Sequence, residues 1–180
     1  MLGNRSGDID CARKYCQLTD SQYARRALVR TFFAAVEAVS FQLRQVTLAN
    51  AAGMDYLSPA EVMLLREQRY LLDDKGQSKI VDQFLRFPNS LLLSLQTYAK
   101  NHGATFKVDK STSGWQALKR AVRLRHNVTH PKSLACLTVS DLDVHVLTQA
   151  SPWWQGTLMS LFNACDESDA YWRQRQEAER

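Results

Sequence analysis

The chain is poor in the residues that interrupt regular structure, with seven glycines and four prolines in 180 positions. That scarcity argues against a disordered or fibrous protein, and the sequence carries no internal repeat or low-complexity tract. It contains no glycine-rich loop of the phosphate-cradling kind and no Gly-flanked serine elbow. Four cysteines are widely scattered, with only Cys11 and Cys16 near one another. Their spacing matches no zinc module, so they are expected to be reduced thiols in a cytoplasmic protein. Apolar runs are broken by Arg, Glu or Gln well before the roughly 18 residues a membrane span needs, so no membrane partner is expected. Met1 to Tyr15 carry cations with no apolar stretch behind them, which argues against a secretory signal. The Asn127-Val128-Thr129 glycosylation triplet is then accidental.

What remains is an ordinary globular composition, 45% hydrophobic and 23% charged, with enough chain for one buried core. The formal net charge is +5 and the isoelectric point about 9.1. That balance suits a polyanionic partner, although a solvated basic face explains it equally well. The expected organisation is an N-terminal segment, 1–18, partly disordered, a single helical domain over 19–172, and a polar tail, 173–180, that frays.

Helical periodicity with cap signals recurs along the chain, and no convincing strand alternation is seen. Thr19 and Gln22 form a capping-box pattern, predicting a long helix from about Asp20 to Asn50. Its buried stripe is expected to be Leu28, Phe32, Val36, Val39, Leu43 and Val46. Ser58-Pro59-Ala60-Glu61 opens a second helix, which should end near Leu72 before an Asp73-Asp74-Lys75-Gly76 turn. A short helical piece over Ile80–Phe87 is expected to break or restart at Pro88 and continue from Asn89 to Lys100, with Gly103 as its C-cap. Residues 104–112 are the one place for a short extended segment. Ser113 and Gln116 predict the start of the next helix and Pro131 its end. Ser140 with Asp143 starts another, which Ser151-Pro152 either kinks or restarts. These add up to an all-α fold, an up-and-down bundle of four to five helices.

The richest stretch is Arg125-His126-Asn127-Val128-Thr129-His130-Pro131. It lies in a run, Ser113 to Lys132, that holds five cations (Lys119, Arg120, Arg123, Arg125, Lys132) and no carboxylate. At about 100° per residue, Trp115, Leu118, Ala121, Val122, Leu124 and Val128 share one half of the wheel. Gln116, Lys119, Arg120, Arg123 and Asn127 occupy the opposite arc. Arg125 falls in the apolar half, where an unpaired guanidinium is costly, so it asks for a carboxylate, an anionic ligand or a groove. Glu37, one turn from both Phe33 and Phe41, is the candidate acid, expected to approach Arg125 or His130. Pro131 disfavours the helical conformation at His130, so the last turn should unwind and let that ring swing back. An arginine and a histidine on a basic surround are what metal-free phosphodiester cleavage needs.

This segment resembles the signature of the HEPN superfamily (higher eukaryotes and prokaryotes nucleotide-binding domain), an arginine followed after four to six residues by histidine. Here Arg125 is followed by His126-Asn127-Val128-Thr129 and then His130, and the polar His126 fits the position after the arginine. The helical context covers most of the chain; at motif level only these six residues carry the resemblance. It implies an HEPN-like bundle and a metal-independent endoribonuclease acting on RNA as a homodimer, with the motif at a dimer cleft. It further implies a toxin or phage-defence role with an antitoxin protein as a candidate partner. His130 would serve as general base or acid and Arg125 would stabilise phosphoryl charge. His126, Asn127, Thr129 and Glu37 would support them, and Lys119, Arg120, Arg123 and Lys132 would bind RNA. The product would be a 2′,3′-cyclic phosphate end. Some relatives carry a tyrosine two residues after the histidine; Lys132 stands there, so regulation through that tyrosine is not supported.

The competing readings stay open at this point. Arg125 could simply tie Glu37 into the bundle while His130 caps a helix, leaving a catalytically inactive module that binds RNA, a nucleotide or a protein. The His126/His130 spacing could suggest a metal pair, but Asn127 stands where a zinc protease needs Glu and no third ligand is near, so neither metal nor cofactor is expected. His102 and His145 read as ordinary surface or satisfied histidines, Trp153-Trp154 as core or dimer anchors, and Asp141/Asp143 as helix capping.

Overall fold

The computed structural model describes residues 5–51 and 56–179. The chain is mostly helical, 73%, with six α-helices and one two-stranded sheet among the described residues. In order these are α1 (Arg5–Thr19), α2 (Gln22–Asn50), α3 (Pro59–Leu65), β1 (Gln68–Leu72), β2 (Ser78–Asp82), α4 (Phe87–Asn101), α5 (Ser113–Thr129) and α6 (Asp141–Ala178). A 3-10 turn, Leu134–Leu137, separates α5 from α6. The all-α expectation holds at this level, with one more helix than the four or five predicted and a hairpin that was not. The helix α1 occupies most of the segment expected to be partly disordered, and α6 runs on to Ala178 through most of the expected tail. Residues 1–4 lie outside the described residues.

The chain divides into two compact units. The first draws on Met1–Val39 and Asp109–Leu158, the second on Ser40–Val108 and Met159–Arg180. In the first, the buried side chains include Ile9 and Cys16 of α1, Leu28, Phe32 and Val36 of α2, Leu118 and Val128 of α5, and Leu147 and Trp154 of α6. Helix α1 ends with Asp20 in the left-handed region, φ 39°. That conformation is uncommon outside glycine, asparagine and aspartate. Asp20 keeps its amide on the Cys16 carbonyl at 2.9 Å, and its carboxylate accepts from Arg25 Nε, also at 2.9 Å. Thr19 does not cap α2 as its spacing predicted, because its hydroxyl donates to the Tyr15 carbonyl of its own helix. Ser21 takes over, its Oγ accepting the Ala24 amide at 3.2 Å. Pro152 sits inside α6 without ending it, on the exposed side of the helix.

In the second unit, Leu43 and Thr47 of α2, Leu65 of α3, Leu91 and Leu95 of α4 and Leu161 of α6 are buried. Val46 is exposed and Thr47 takes the expected place in the stripe, its hydroxyl returned to the Leu43 carbonyl at 2.8 Å. The Ser58–Glu61 capping box forms as predicted, with Pro59 at the first position. Helix α3 stops at Leu65, seven residues short of the predicted Leu72, and the chain turns at Glu67 with φ 55°. Arg44 NH1 holds that glutamate at 2.6 Å.

The segments predicted as helix on either side of Asp73–Gly76 instead pair antiparallel, Tyr70 opposite Ile80 and Leu72 opposite Ser78. Asp73 Oδ1 accepts the Lys75 and Gln77 amides, both at 2.9 Å, and Gly76 supplies the positive φ the turn requires. Residues 104–112, expected to be the extended candidate, form no strand. Helix α4 begins at Phe87 with Pro88 in its first turn. It ends as predicted around Gly103, whose φ is 64° and whose next amide, Ala104, reaches back to the Ala99 carbonyl at 2.9 Å.

Candidate functional site

Helix α5 carries the Arg–His motif, and its start is fixed by a tight contact. The cap is Thr112, one residue before the predicted Ser113, accepting the Trp115 amide at 3.3 Å. Gly114 then lies against Trp153 of α6, so closely that a Cβ there would sit 2.4 Å from the indole carbons. The Trp115 and Trp153 rings meet at 5.6 Å between centroids, tilted by 55°. Trp154, buried, and Trp153, half-buried, thus anchor the core of this unit.

From that anchor the helix presents its faces as the wheel predicted. Trp115, Leu118, Ala121, Leu124 and Val128 are buried, with Val122 half-buried, while Lys119, Arg120, Arg123 and Asn127 are exposed. These cations and Lys132 have no ion-pair partner among the described residues.

Arg125 lies at the edge of the core and not deep within it. Its NH2 is 2.5 Å from Glu37 Oε1, with 34% and 41% of the two side chains accessible. The guanidinium carbon stands 5.4 Å from the centroid of the Phe33 ring, itself buried and edge-on to Phe32. Of the two targets proposed for Glu37, the structure selects Arg125.

His130 is the C-cap, with φ −127° and ψ 63°, non-helical as Pro131 requires. Its amide still donates to the His126 carbonyl at 2.9 Å. Its ring stands 5.4 Å from that of His126, tilted by 52°, and both residues are exposed. The last turn is thus not unwound as expected: only His130 itself leaves the helical conformation, and its ring stands beside that of His126 one turn back. Asn127, Thr129 and Lys132 are also exposed around this end.

Side chains at the start of α2 hold the loop beyond the motif, through contacts that the sequence pattern did not reveal. Gln22 grips Val139 in both directions: its Nε2 donates to the carbonyl at 3.1 Å and its Oε1 accepts the amide at 2.8 Å. Arg25 donates to the same carbonyl at 2.9 Å and pairs with Asp141 at 2.5 Å, while Arg26 donates to the Leu137 carbonyl at 3.1 Å. Ser140 and Asp143 form the expected cap. In the 3-10 turn, Cys136 lies 3.5 Å from the Ser133 hydroxyl, and that hydrogen bond with the Lys132 and Ser133 amides lowers its thiol pKa. A lone cysteine six residues past His130 offers no sequence signal for this.

Two features lie apart from the motif. In the first unit, an open groove of about 580 Å³ is lined by Asp8, Cys11, Thr31, Ala34, Ala35 and Ala38. In the second unit, His102 Nδ1 is 2.9 Å from Asp169 Oδ2, and its Nε2 is buried with no partner among the described residues. Nearby on α6, burial pushes the Cys165 thiol up to about 11, aided by Asp169 and Asp166. His102 is thus half-satisfied, more constrained than an ordinary surface histidine, whereas His145 is exposed and bonded to Gln149.

No family model matches the chain, and neither a curated protein nor a solved structure matches it. The reading of the site therefore stands on its geometry and on the motif.

Proposed function

We propose that the chain is a metal-independent endoribonuclease of HEPN type, working as a homodimer, with Arg125 and His130 as its reacting pair. The observation that carries this reading is the end of α5. There Arg125 is held by Glu37 and the Phe33 face while a third of its side chain stays open. The exposed His126–His130 pair shares the same terminal stretch. A cation of fixed direction and two open imidazoles supply both needs of RNA transesterification, charge neutralisation and proton transfer.

In the proposed reaction, neutral His130 removes the proton of a ribose 2′-hydroxyl. The 2′-oxygen bonds to phosphorus and the bond to the 5′-oxygen breaks. Protonated His126 returns a proton to that leaving oxygen, giving a 2′,3′-cyclic phosphate and a free 5′-hydroxyl. Arg125 stabilises the charge that grows on the non-bridging oxygens, and Glu37 keeps it in place. Asn127 and Thr129 orient the reacting groups, while Lys119, Arg120, Arg123 and Lys132 engage neighbouring phosphates.

One observation favours a second reading. The Glu37 carboxylate already occupies Arg125, as it would in a catalytically silent helical module that binds RNA or a protein partner. Incubating mixed-sequence RNA with the purified chain in EDTA separates the two. Cyclic-phosphate ends made by the wild type and not by His130→Ala support catalysis; RNA binding without cleavage favours the silent module.

A further inference from the structure

We infer that the β1–β2 hairpin is a second RNA-contact surface, a stacking and phosphate platform for single-stranded RNA; this rests on the ribonucleic-acid reading above. The hairpin buries little of itself. Tyr70 is 65% exposed and Phe84, immediately beyond the ladder, is 96% exposed. The ladder extends one hydrogen bond past the last paired residues, from the Gln83 amide to the Glu67 carbonyl at 2.7 Å, which brings the chain to Phe84. Alternation along the register places Tyr70, Leu72 and Ile80 on one face, and Arg69, Leu71 and Lys79 on the other. A two-stranded hairpin is marginal by itself in water. Tyr70 faces Ile80 across the ladder and adds to its pairing, but Phe84 lies beyond the last paired residues almost wholly exposed, and its ring needs another reason to be there.

Charge identifies the ligand. Arg66, Arg69, Lys75, Lys79 and Arg86 are exposed and have no ion-pair partner among the described residues. Of the nearby carboxylates, Glu67 is taken by Arg44 and Asp73 is turned onto the Lys75 and Gln77 amides. Asp74 and Asp82 remain open against five cations. Each exposed aromatic has a cation within two positions in the chain, Arg69 beside Tyr70 and Arg86 beyond Phe84. Tyr70 and the cations Arg69 and Lys79 lie on opposite faces, so a single strand would stack its bases on one and bring its phosphates round the hairpin edge to the other.

The test uses the full chain and a fluorescein-labelled 2′-O-methyl oligouridine, which keeps bases and phosphates but lacks the nucleophile. Anisotropy gives affinity across a salt series for the wild type, Tyr70→Ala, Phe84→Ala and the double variant Arg69→Gln/Lys79→Gln, each checked for unchanged melting. Each aromatic variant should weaken binding about tenfold with the salt slope kept. The charge variant should flatten the slope of log Kd against log salt by about 0.7 per contact removed. Affinities and slopes unchanged in all three would overturn the proposal. So would a wild type that does not bind the oligomer, or variants that alter only self-association in sedimentation. Cleavage in EDTA, measured on the same preparations, keeps the two ideas apart. Hairpin-dependent binding without cleavage sustains this proposal and removes the nuclease reading. Cleavage with indifferent hairpin variants does the reverse.

Discussion

The Arg125 guanidinium lies 2.5 Å from the Glu37 carboxylate and 5.4 Å from the centre of the Phe33 ring, so α5 is tied to α2 by one side chain through two kinds of contact. Both partners keep over a third of their surface in water, so the charge pair is partly screened. The two contacts should be worth about 0.2–1 kcal/mol for the ion pair and about 0.5–1 kcal/mol for the ring.

Arg125→Ala should accordingly cost about 1–2 kcal/mol of stability, the sum of those two terms. Glu37→Ala should cost less, because the ring contact survives. Urea denaturation of both single variants and the double variant gives the coupling, expected at about 0.5–1 kcal/mol. Strictly additive losses would mean that the pair does not form in solution.

Gly114→Ala should destabilise the chain by about 1–3 kcal/mol, the usual range for overpacking. The added methyl would overlap the Cβ, Cγ and Cδ1 of Trp153, and the Cβ lies too near the backbone to swing away. In the Trp153→Ala background the same change should cost much less. Equal costs in both backgrounds would place the strain elsewhere.

The helical class, the cap at Ser58 and the wet and dry faces of α5 were legible because each rests on local chemistry or on one-sided burial. The Glu37–Arg125 pairing was legible for a related reason: a cation on an apolar face needs an acid, and Glu37 stood between two aromatics. The hairpin was not. Its strands bury neither face consistently, so Gln68–Leu72 and Ser78–Asp82 show no alternation, and only the Asp73–Gly76 turn was readable. The caps at Ser21 and Thr112 were each misplaced by neighbouring hydroxyls that compete for the same role. Gln22 and Val139 are 117 residues apart, a pairing no local pattern reveals.

Three of the four cysteines, Cys16, Cys136 and Cys165, should separate by reactivity. Cys165 is buried, and its thiol stands at about 11, so little thiolate forms near neutrality. Burial likewise raises the pKa of Cys16, against the pull of Arg25. The Ser133 hydrogen bond and neighbouring amides lower that of Cys136. Timed iodoacetamide labelling of the native protein at neutral pH, read by peptide mass, should modify Cys136 well before Cys16 or Cys165. Cys165 reacting first would contradict the packing around α6. Labelling of Cys136 should fall off as pH drops, because protonation removes the nucleophilic thiolate.

The most direct test of the central claim is cleavage of mixed-sequence RNA in EDTA by the wild type and by His130→Ala. His130 is exposed and its amide, not its ring, closes the helix, so the variant should melt within about 0.5 kcal/mol of the wild type, as surface substitutions do. Cyclic-phosphate fragments are expected from the wild type and none from the variant. Equal cleavage by a folded His130→Ala would remove that imidazole from the chemistry and contradict the account.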